Sequence, residues 1–230
     1  MPAPHNGFTD ITFIENGLAH RYSLKHLEGL SIEKADFERE SGQTAPLTIH
    51  IRPTNHLYSR KFEDTDLLSS PRLLLRFNHN EGNYQSVKHP PKISSERRIF
   101  CNDKYEASKL FPAYIDYLKV KNPHCVLANR GDTRTCLSAL IEVGESNSDY
   151  YLVIFKLHKA DSKNLNMLIE TAFIIDKDDD RAKRITEAHS SEKKPFLLLA
   201  RNILAGRGPF EKRKQSKSVK KKRKDKKKAN

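Results

Sequence analysis

The chain has 230 residues and a formal net charge of +13, with 37% hydrophobic and 31% charged residues. This length suits one domain or two small ones. No apolar run approaches the roughly 20 residues that a membrane-spanning helix needs, and the N-terminus lacks the basic and apolar regions of a secretory signal. These features exclude a membrane-spanning helix, and we expect a cytoplasmic protein with no membrane partner.

The positive charge is concentrated at the C-terminus. Residues 211–230, which we call the basic tail, hold twelve basic and two acidic residues, a net charge of +10 that leaves +3 for the other 210 residues. The basic residues are Lys212, Arg213, Lys214, Lys217, Lys220, Lys221, Lys222, Arg223, Lys224, Lys226, Lys227 and Lys228. Such a composition buries too little apolar surface to offset the entropy of ordering. We therefore expect a disordered tail on a nearly neutral body.

The N-terminal part, residues 1–95, is predicted to be mostly β. Residues 11–14 and 72–77 are short strand-like runs. In residues 47–52, aliphatic residues alternate with polar ones, which is typical of a strand with one buried face. Residues 78–95 are polar and contain two adjacent prolines. They predict either a domain boundary or a long loop within one domain.

Residues 96–210 are predicted to form an α+β domain. Apolar residues at helical spacing indicate a helix, namely Ala107, Leu110, Phe111, Tyr114, Ile115 and Leu118. Asn102 or Asp103 could cap it, and Pro112 predicts either a kink or two short helices. Strands are then predicted at 124–128, 135–143, 150–159, 165–176 and 195–204. Their short connectors predict a four- to five-stranded antiparallel meander on which the helix packs.

Four stretches of the chain resemble a group of bacterial proteins labelled stationary-phase growth adaptation proteins. They are RPTNHLYSR (52–60), RRIFCNDKYEASKLFP (97–112), YYLVIFKLHK (150–159) and LNMLIETAFIID (165–176). This resemblance implies no reaction and no catalytic residue. Separately, a helix followed by a four-stranded antiparallel sheet is similar in topology to the small RelE-like and barnase-like ribonuclease toxins. None of their sequence motifs is present, and a fold does not fix a function.

The basic tail predicts a polyanionic partner. Lysine-rich blocks bind polyphosphates by releasing counterions, without reading bases, and like-charged blocks are commonly interaction tails. We expect association with nucleic acid, RNA rather than DNA, or with the ribosome. Residues 220–224 (KKKRK) also fit a nuclear-localisation pattern, which would direct the protein to the nucleus or nucleolus of a eukaryotic cell. Alternatively, the chain is a regulatory or interaction protein whose tail is only an address or a solubility device.

His50, His56, Tyr58 and Arg60 are candidate catalytic residues of a metal-independent ribonuclease. Such cleavage requires a base, an acid and a cation near the phosphate, and these side chains can fill the three roles. In the alternative interpretation, polar side chains of this segment hold a turn through hydrogen bonds. Both interpretations stay open at this point.

A second cationic surface is predicted on the later strands. Lys156 and His158 alternate with apolar residues and should share one strand face. The other members of this surface would be Arg97 and Arg98 as cations and Tyr150 or Tyr151 as a base-stacking ring. The alternative is an ordinary solvated face over a packed core.

No cofactor and no metal site is predicted. Asp176, Asp178, Asp180 and Glu187 have the spacing of calcium-loop ligands, but arginine stands where that loop needs glycine. We expect them to form a polar hairpin tip. The three cysteines lack CxxC spacing. Cys125 and Cys136 lie in apolar strand patterns, where cysteine acts as a small hydrophobe.

Overall fold

The computed structural model describes residues 10–15, 17–63, 66, 74–81, 92–127, 137–143 and 149–211. The strands are β1 (Ile11–Glu15), β2 (Leu18–Tyr22), β3 (Ser31–Glu38), β4 (Thr44–Arg52), β5 (Ser59–Lys61), β6 (Leu74–Glu81), β7 (Lys92–Phe100), β8 (His124–Leu127), β9 (Leu137–Val143), β10 (Asp149–Lys159), β11 (Asn164–Asp176) and β12 (Lys194–Pro195). The α-helices are α1 (Asn102–Ser108), α2 (Phe111–Lys121), α3 (Asp180–Thr186) and α4 (Phe196–Leu204), and short 3-10 helices span Lys25–Leu27 and Asn55–Leu57. The basic tail after Glu211 and Cys136 lie outside the described residues.

The described strands form three sheets, of which the largest has seven strands in the order β12-β8-β9-β10-β11-β4-β3. Its β8–β11 part is an antiparallel meander, so the predicted α+β class and meander are confirmed. β4 pairs with β11 in parallel and with β3 antiparallel, which brings strands from before residue 95 into the same sheet. β5, β7 and β6 form a separate three-stranded sheet, and β1 and β2 form a hairpin.

Alternation along the strands gives the seven-stranded sheet two different faces. On the covered face, the buried side chains of β4, β9, β10 and β11 form one core with α1, α2 and α4. On the opposite face, which we call the polar face, α3 packs at one end. There Ala182 and Ile185 contact a small cluster of Val126, Leu152 and Ile175. The rest of the polar face carries half-buried and exposed side chains, many of them polar.

The predicted helix is present as two short helices, the second of the two forms considered. Pro112 stands in the first turn of α2, where a missing backbone N–H leaves no hydrogen bond unmade. The predicted apolar stripe is buried from Ala107 to Leu118, with Leu110 partly buried. Cys101 occupies the N-cap position of α1, so neither predicted cap residue caps it. Asn122 ends α2 in the left-handed conformation, with φ of 46°.

The predicted strand at 195–204 is wrong, because Phe196–Leu204 forms helix α4. Phe196, Leu199, Ala200 and Leu204 are all buried, which is the spacing of one helix face. A short continuous apolar run fits a buried strand or a buried helix equally well, and periodicity alone does not separate them. Only Lys194 and Pro195 pair as strand β12, with β8.

Candidate nucleic-acid interface

A row of three polar side chains crosses the centre of the polar face. Asn166 of β11 is in register with His158 of β10 on one side and with His50 of β4 on the other. All three are half-buried, whereas the residues beside them in sequence, such as Leu157 and Ile49, are buried in the core. Because neighbouring strands lie about 4.8 Å apart, the backbones of the two histidines are on the order of 10 Å apart.

The next row carries two cations. Leu168 of β11 is in register with Lys156 of β10 and with Arg52 of β4. This row lies two residues along β11 from the first, which is about 6.6 Å. The two rows together, His158, Asn166 and His50 with Lys156, Leu168 and Arg52, are called the polar-face cluster below. The prediction that Lys156 and His158 share one face is confirmed.

A carboxylate approaches the cluster because β11 contains a β-bulge. Phe155 pairs with Ile169 and Ile154 with Thr171, so Glu170 has no partner residue in β10. A bulge re-aims a side chain, and the Glu170 carboxylate forms an ion pair of 2.6 Å with Lys156 Nζ. Both side chains are about 30% exposed. The ammonium of Lys156 is therefore shared between a carboxylate and solvent.

Lys104 of α1 adds a further cation beside β11. Its ammonium donates to the backbone oxygen of His56 at 3.1 Å and to Thr171 Oγ1 at 3.3 Å. It also lies 5.9 Å from the centre of the Phe173 ring. Burial lowers the pKa of Lys104, and the charge of Arg98 lowers it further. This lysine ties the segment after β4 to the strand that carries Glu170.

The charges around His158 favour its neutral form. Burial lowers the pKa of His158, the positive charge of Lys156 lowers it further, and Glu170 opposes the shift. On the other side of Asn166, the imidazole Nε2 of His50 lies 3.3 Å from Asn164 Oδ1, to which it donates a hydrogen bond. The two histidines of the cluster therefore stand in different electrostatic surroundings.

The four predicted catalytic residues are divided between different parts of the fold. His50 lies in the polar-face cluster, whereas His56 lies in the 3-10 helix that follows β4. Tyr58 is 7% exposed, and burial raises its pKa to about 12. Arg60 is on β5, in the three-stranded sheet, and its guanidinium donates to Asp66 at 2.8 Å. A hydrogen bond from Arg60 lowers the pKa of Asp66.

Two members of the predicted cationic surface are not on the surface. Arg98 is 4% exposed, and its guanidinium donates to Ser59 Oγ at 2.8 Å and to the Ser59 backbone oxygen at 2.9 Å. Tyr151 is fully buried and packs edge-on against Tyr114. Arg98 and Tyr151 therefore do not belong to a cationic surface, and the burial of Tyr151 agrees with the alternative interpretation of a packed core. Tyr150 is half-buried, with Lys177 Nζ 5.3 Å from its ring centre.

The acidic residues after β11 form a turn into a helix and not the predicted hairpin tip. Asp179 is the N-cap of α3, and its side chain accepts a hydrogen bond from the backbone N–H of Arg181. Asp178 pairs with Lys183 at 3.2 Å. Among the described residues, no three His, Cys, Asp or Glu side chains are arranged to hold a metal ion. Cys125 is buried, and burial raises its pKa.

A second concave surface lies at the far end of β9. It is a groove of about 690 Å³ whose lining includes Tyr117, His124, Glu142, Tyr150 and Ile185. None of its lining residues belongs to the polar-face cluster. The groove carries little positive charge and is the weaker candidate for a polyanion.

Asn166, Glu170 and Lys104 were not singled out from the sequence. Asn166 lies between the two histidines only because β11 pairs with β4, and Glu170 reaches Lys156 only because of the bulge. No local pattern signals either event. The available signal was an alternation in residues 164–170, where polar Asn164, Asn166 and Glu170 stand between or beside buried Leu165, Met167 and Ile169.

The chain belongs to the YjaZ family, whose model matches residues 14–204. The matched stretch contains the whole polar-face cluster and ends before the basic tail. No curated protein and no solved structure matches the chain. Within the described part of the chain, none of the helices combines the length and apolar character needed to cross a bilayer.

Proposed function

We propose that the protein binds single-stranded RNA, including ribosomal RNA, through the basic tail and the polar face together. The observation that carries the proposal is the second row of the polar-face cluster. There Lys156 and Arg52 stand on either side of Leu168, with Arg52 exposed and Lys156 partly exposed. Two cations flanking an apolar side chain suit a flexible strand whose phosphates and bases are contacted together.

The two surfaces make different contributions in this proposal. The tail supplies attraction to any polyphosphate, because its charge of +10 releases counterions without reading bases. Its 19 residues after Glu211 can span at most about 60 Å, which is enough to follow a strand held at the polar face. The body supplies the orientation, since its cations are fixed by the strand register.

The test is salt-dependent binding of a 20-nucleotide single-stranded RNA, with DNA of the same sequence in parallel. If about six tail charges engage RNA, log K should fall with log salt at a slope near −4. Removal of residues 212–230 should lower the slope's magnitude accordingly. The pair Arg52→Gln and Lys156→Gln should lower it by about 1.4 more. Lys121→Gln, an exposed lysine at the end of α2, is the matched control and should change it little.

Glu170 allows a sharper test of the polar face. Because its carboxylate is paired with Lys156, it competes with an incoming phosphate. Glu170→Gln should therefore tighten RNA binding, about three- to tenfold at low salt. Unchanged binding in this variant, together with an unchanged slope in the Arg52 and Lys156 double variant, would remove the polar face from the proposal. A full chain that binds no RNA would leave the tail as an address or solubility device.

A further inference from the structure

We infer that the polar-face cluster cleaves the RNA it binds, with His158 as the base and His50 as the acid of a metal-independent transphosphorylation. The inference rests on the proposed RNA binding and adds the chemistry to it. It replaces the sequence-based set of four catalytic candidates with a set drawn from two strands that are far apart in the chain.

The two histidines stand on opposite sides of Asn166. Displacement at phosphorus places the attacking and leaving oxygens roughly in line, on opposite sides of the phosphorus atom. The base and the acid must therefore also stand on opposite sides. His158 and His50 do so, because each is in register with Asn166 from a different neighbouring strand. The backbones of the two histidines therefore flank Asn166, and the His50 ring is turned toward Asn164, on the side away from the cations.

The adjacent row of the polar-face cluster supplies two positive charges, Lys156 and Arg52. Charge develops on the non-bridging oxygens of the phosphate, and fixed cations stabilise it. Lys156 and Arg52 occupy the same two strands as the histidines, one row away. A phosphate over Asn166 would lie one row, about 6.6 Å along β11, from the backbone positions of these two long cationic side chains. Glu170, paired with Lys156, holds that ammonium near the centre of the face in the absence of RNA.

In the proposed reaction, one histidine accepts a proton and the other donates one. His158, which is neutral because burial and Lys156 lower its pKa, accepts the proton of the ribose 2′-hydroxyl. The 2′-oxygen bonds to phosphorus as the bond from phosphorus to the 5′-oxygen breaks. Protonated His50 gives its proton to that 5′-oxygen. The products are a 2′,3′-cyclic phosphate and a 5′-hydroxyl, and both histidines return to their starting states by exchange with water. No co-reactant is consumed.

The hydrogen bonding of the His50 ring is compatible with a role as the acid. Its Nε2–H is engaged with Asn164 Oδ1, an interaction that fixes the ring. In the imidazolium form the second nitrogen also carries a proton, which is available for transfer. The His158 imidazole is half-buried on the polar face, with Lys156 and Glu170 as its charged neighbours.

The experiment uses the full chain and a 5′-labelled 20-nucleotide RNA in EDTA. Wild type should produce fragments ending in a 2′,3′-cyclic phosphate, and a single 2′-deoxy substitution should block cleavage at that position. His158→Asn and His50→Asn should each lower the cleavage rate about 100-fold or more. His124→Asn, an exposed histidine on β8, is the matched control and should stay within about twofold. Glu170→Gln should retain cleavage.

Binding is measured separately, on an all-deoxy strand that the reaction cannot cut. The loss of cleavage in the two histidine variants should exceed any loss of binding to this strand by about tenfold or more, and their unfolding curves above pH 6.5 should match that of wild type. Wild type that binds but does not cleave would overturn the inference and leave the proposed RNA binding intact. Cleavage that survives both histidine substitutions, or that EDTA abolishes, would also overturn it. Absence of RNA binding in the salt-dependence experiment would instead overturn the proposed function.

Discussion

The two faces of the seven-stranded sheet differ in what their side chains contribute. On the covered face, the fully buried rings of Tyr151 and Phe155 of β10 pack against Tyr114 of α2 and Phe196 of α4. The polar face holds charged and imidazole side chains along the same strands, with α3 packed at one end and Lys104 of α1 donating to Thr171. In a strand such as β10, every second residue therefore packs in the core, and the residues between them carry charged or imidazole side chains on the polar face. Substitutions at adjacent positions should have very different consequences.

The largest difference is expected between Phe155 and Lys156. Phe155 is fully buried, with its ring centre 6.0 Å from that of Phe196. Phe155→Ala should lower the free energy of unfolding by about 3–5 kcal/mol, because it removes a ring from a packed core. Lys156→Ala should change it by less than about 0.5 kcal/mol. Urea unfolding of both variants measures the difference, and similar losses would contradict the assignment of the two faces.

A smaller loss is expected at α3, which packs on the polar face. Asp179 caps α3 by accepting the Arg181 backbone N–H at 2.8 Å, and Arg181 holds the pKa of Asp179 at about 2. Asp179→Ala should cost about 1 kcal/mol. The neighbouring Asp178 has a side chain 90% exposed, and Asp178→Ala is the control that should cost little. Equal effects of the two substitutions in urea unfolding would argue against the cap.

A change of opposite sign is expected inside the covered face. The hydroxyl oxygens of Tyr114 and Tyr151 are buried and have no hydrogen-bond partner among the described residues. Burying an unpaired hydroxyl costs free energy, so Tyr151→Phe should leave stability unchanged or raise it by up to about 1 kcal/mol. Phe155→Leu, which removes ring atoms without removing a hydroxyl, should lower it. Thermal unfolding compares the two, and a clear loss in Tyr151→Phe would reveal a partner for its hydroxyl.

The smallest expected effect is the pH dependence that His158 contributes. Its pKa is lowered in the folded chain, so the unfolded chain binds more protons between the lowered value and about 6.5. Its contribution to stability is therefore present above pH 6.5 and is lost as the pH falls through that range. His158→Asn should reduce the dependence measured between pH 7 and 5. His26, half-buried with Nε2 2.8 Å from Ser108 Oγ, should still contribute in the same direction.

The sequence predicted those parts of the fold that local patterns control. The alternation at Leu47, Ile49 and Ile51 identified β4 and its buried face, and Pro112 marked the start of α2. Helix α4 was missed because its first five residues, FLLLA, form a continuous apolar run that fits a buried strand as well as a helix. The shared face of Lys156 and His158 was predicted correctly because it also follows from alternation along a single strand.

The sequence predicted only part of the candidate site, because the site depends on pairing between strands that are distant in the chain. His50 and His158 were each noticed, but as members of separate groups. Their relation is set by the parallel pairing of β4 with β11, and no residue type at either strand specifies that partner. Arg60, adjacent in sequence to the predicted catalytic group, turned out to belong to another sheet because the 3-10 helix Asn55–Leu57 redirects the chain.

The parallel pairing of β4 and β11 also determines when the cluster can exist. β4 is synthesised early, and its partner emerges only after β10 and the turn that follows it. Contacts between segments so distant in sequence form late in folding, because the intervening loop must close first. A nascent or truncated chain therefore carries His50 and Arg52 without their counterparts. Both rows of the cluster are therefore present only once β11 has been synthesised and has paired with β4 and β10.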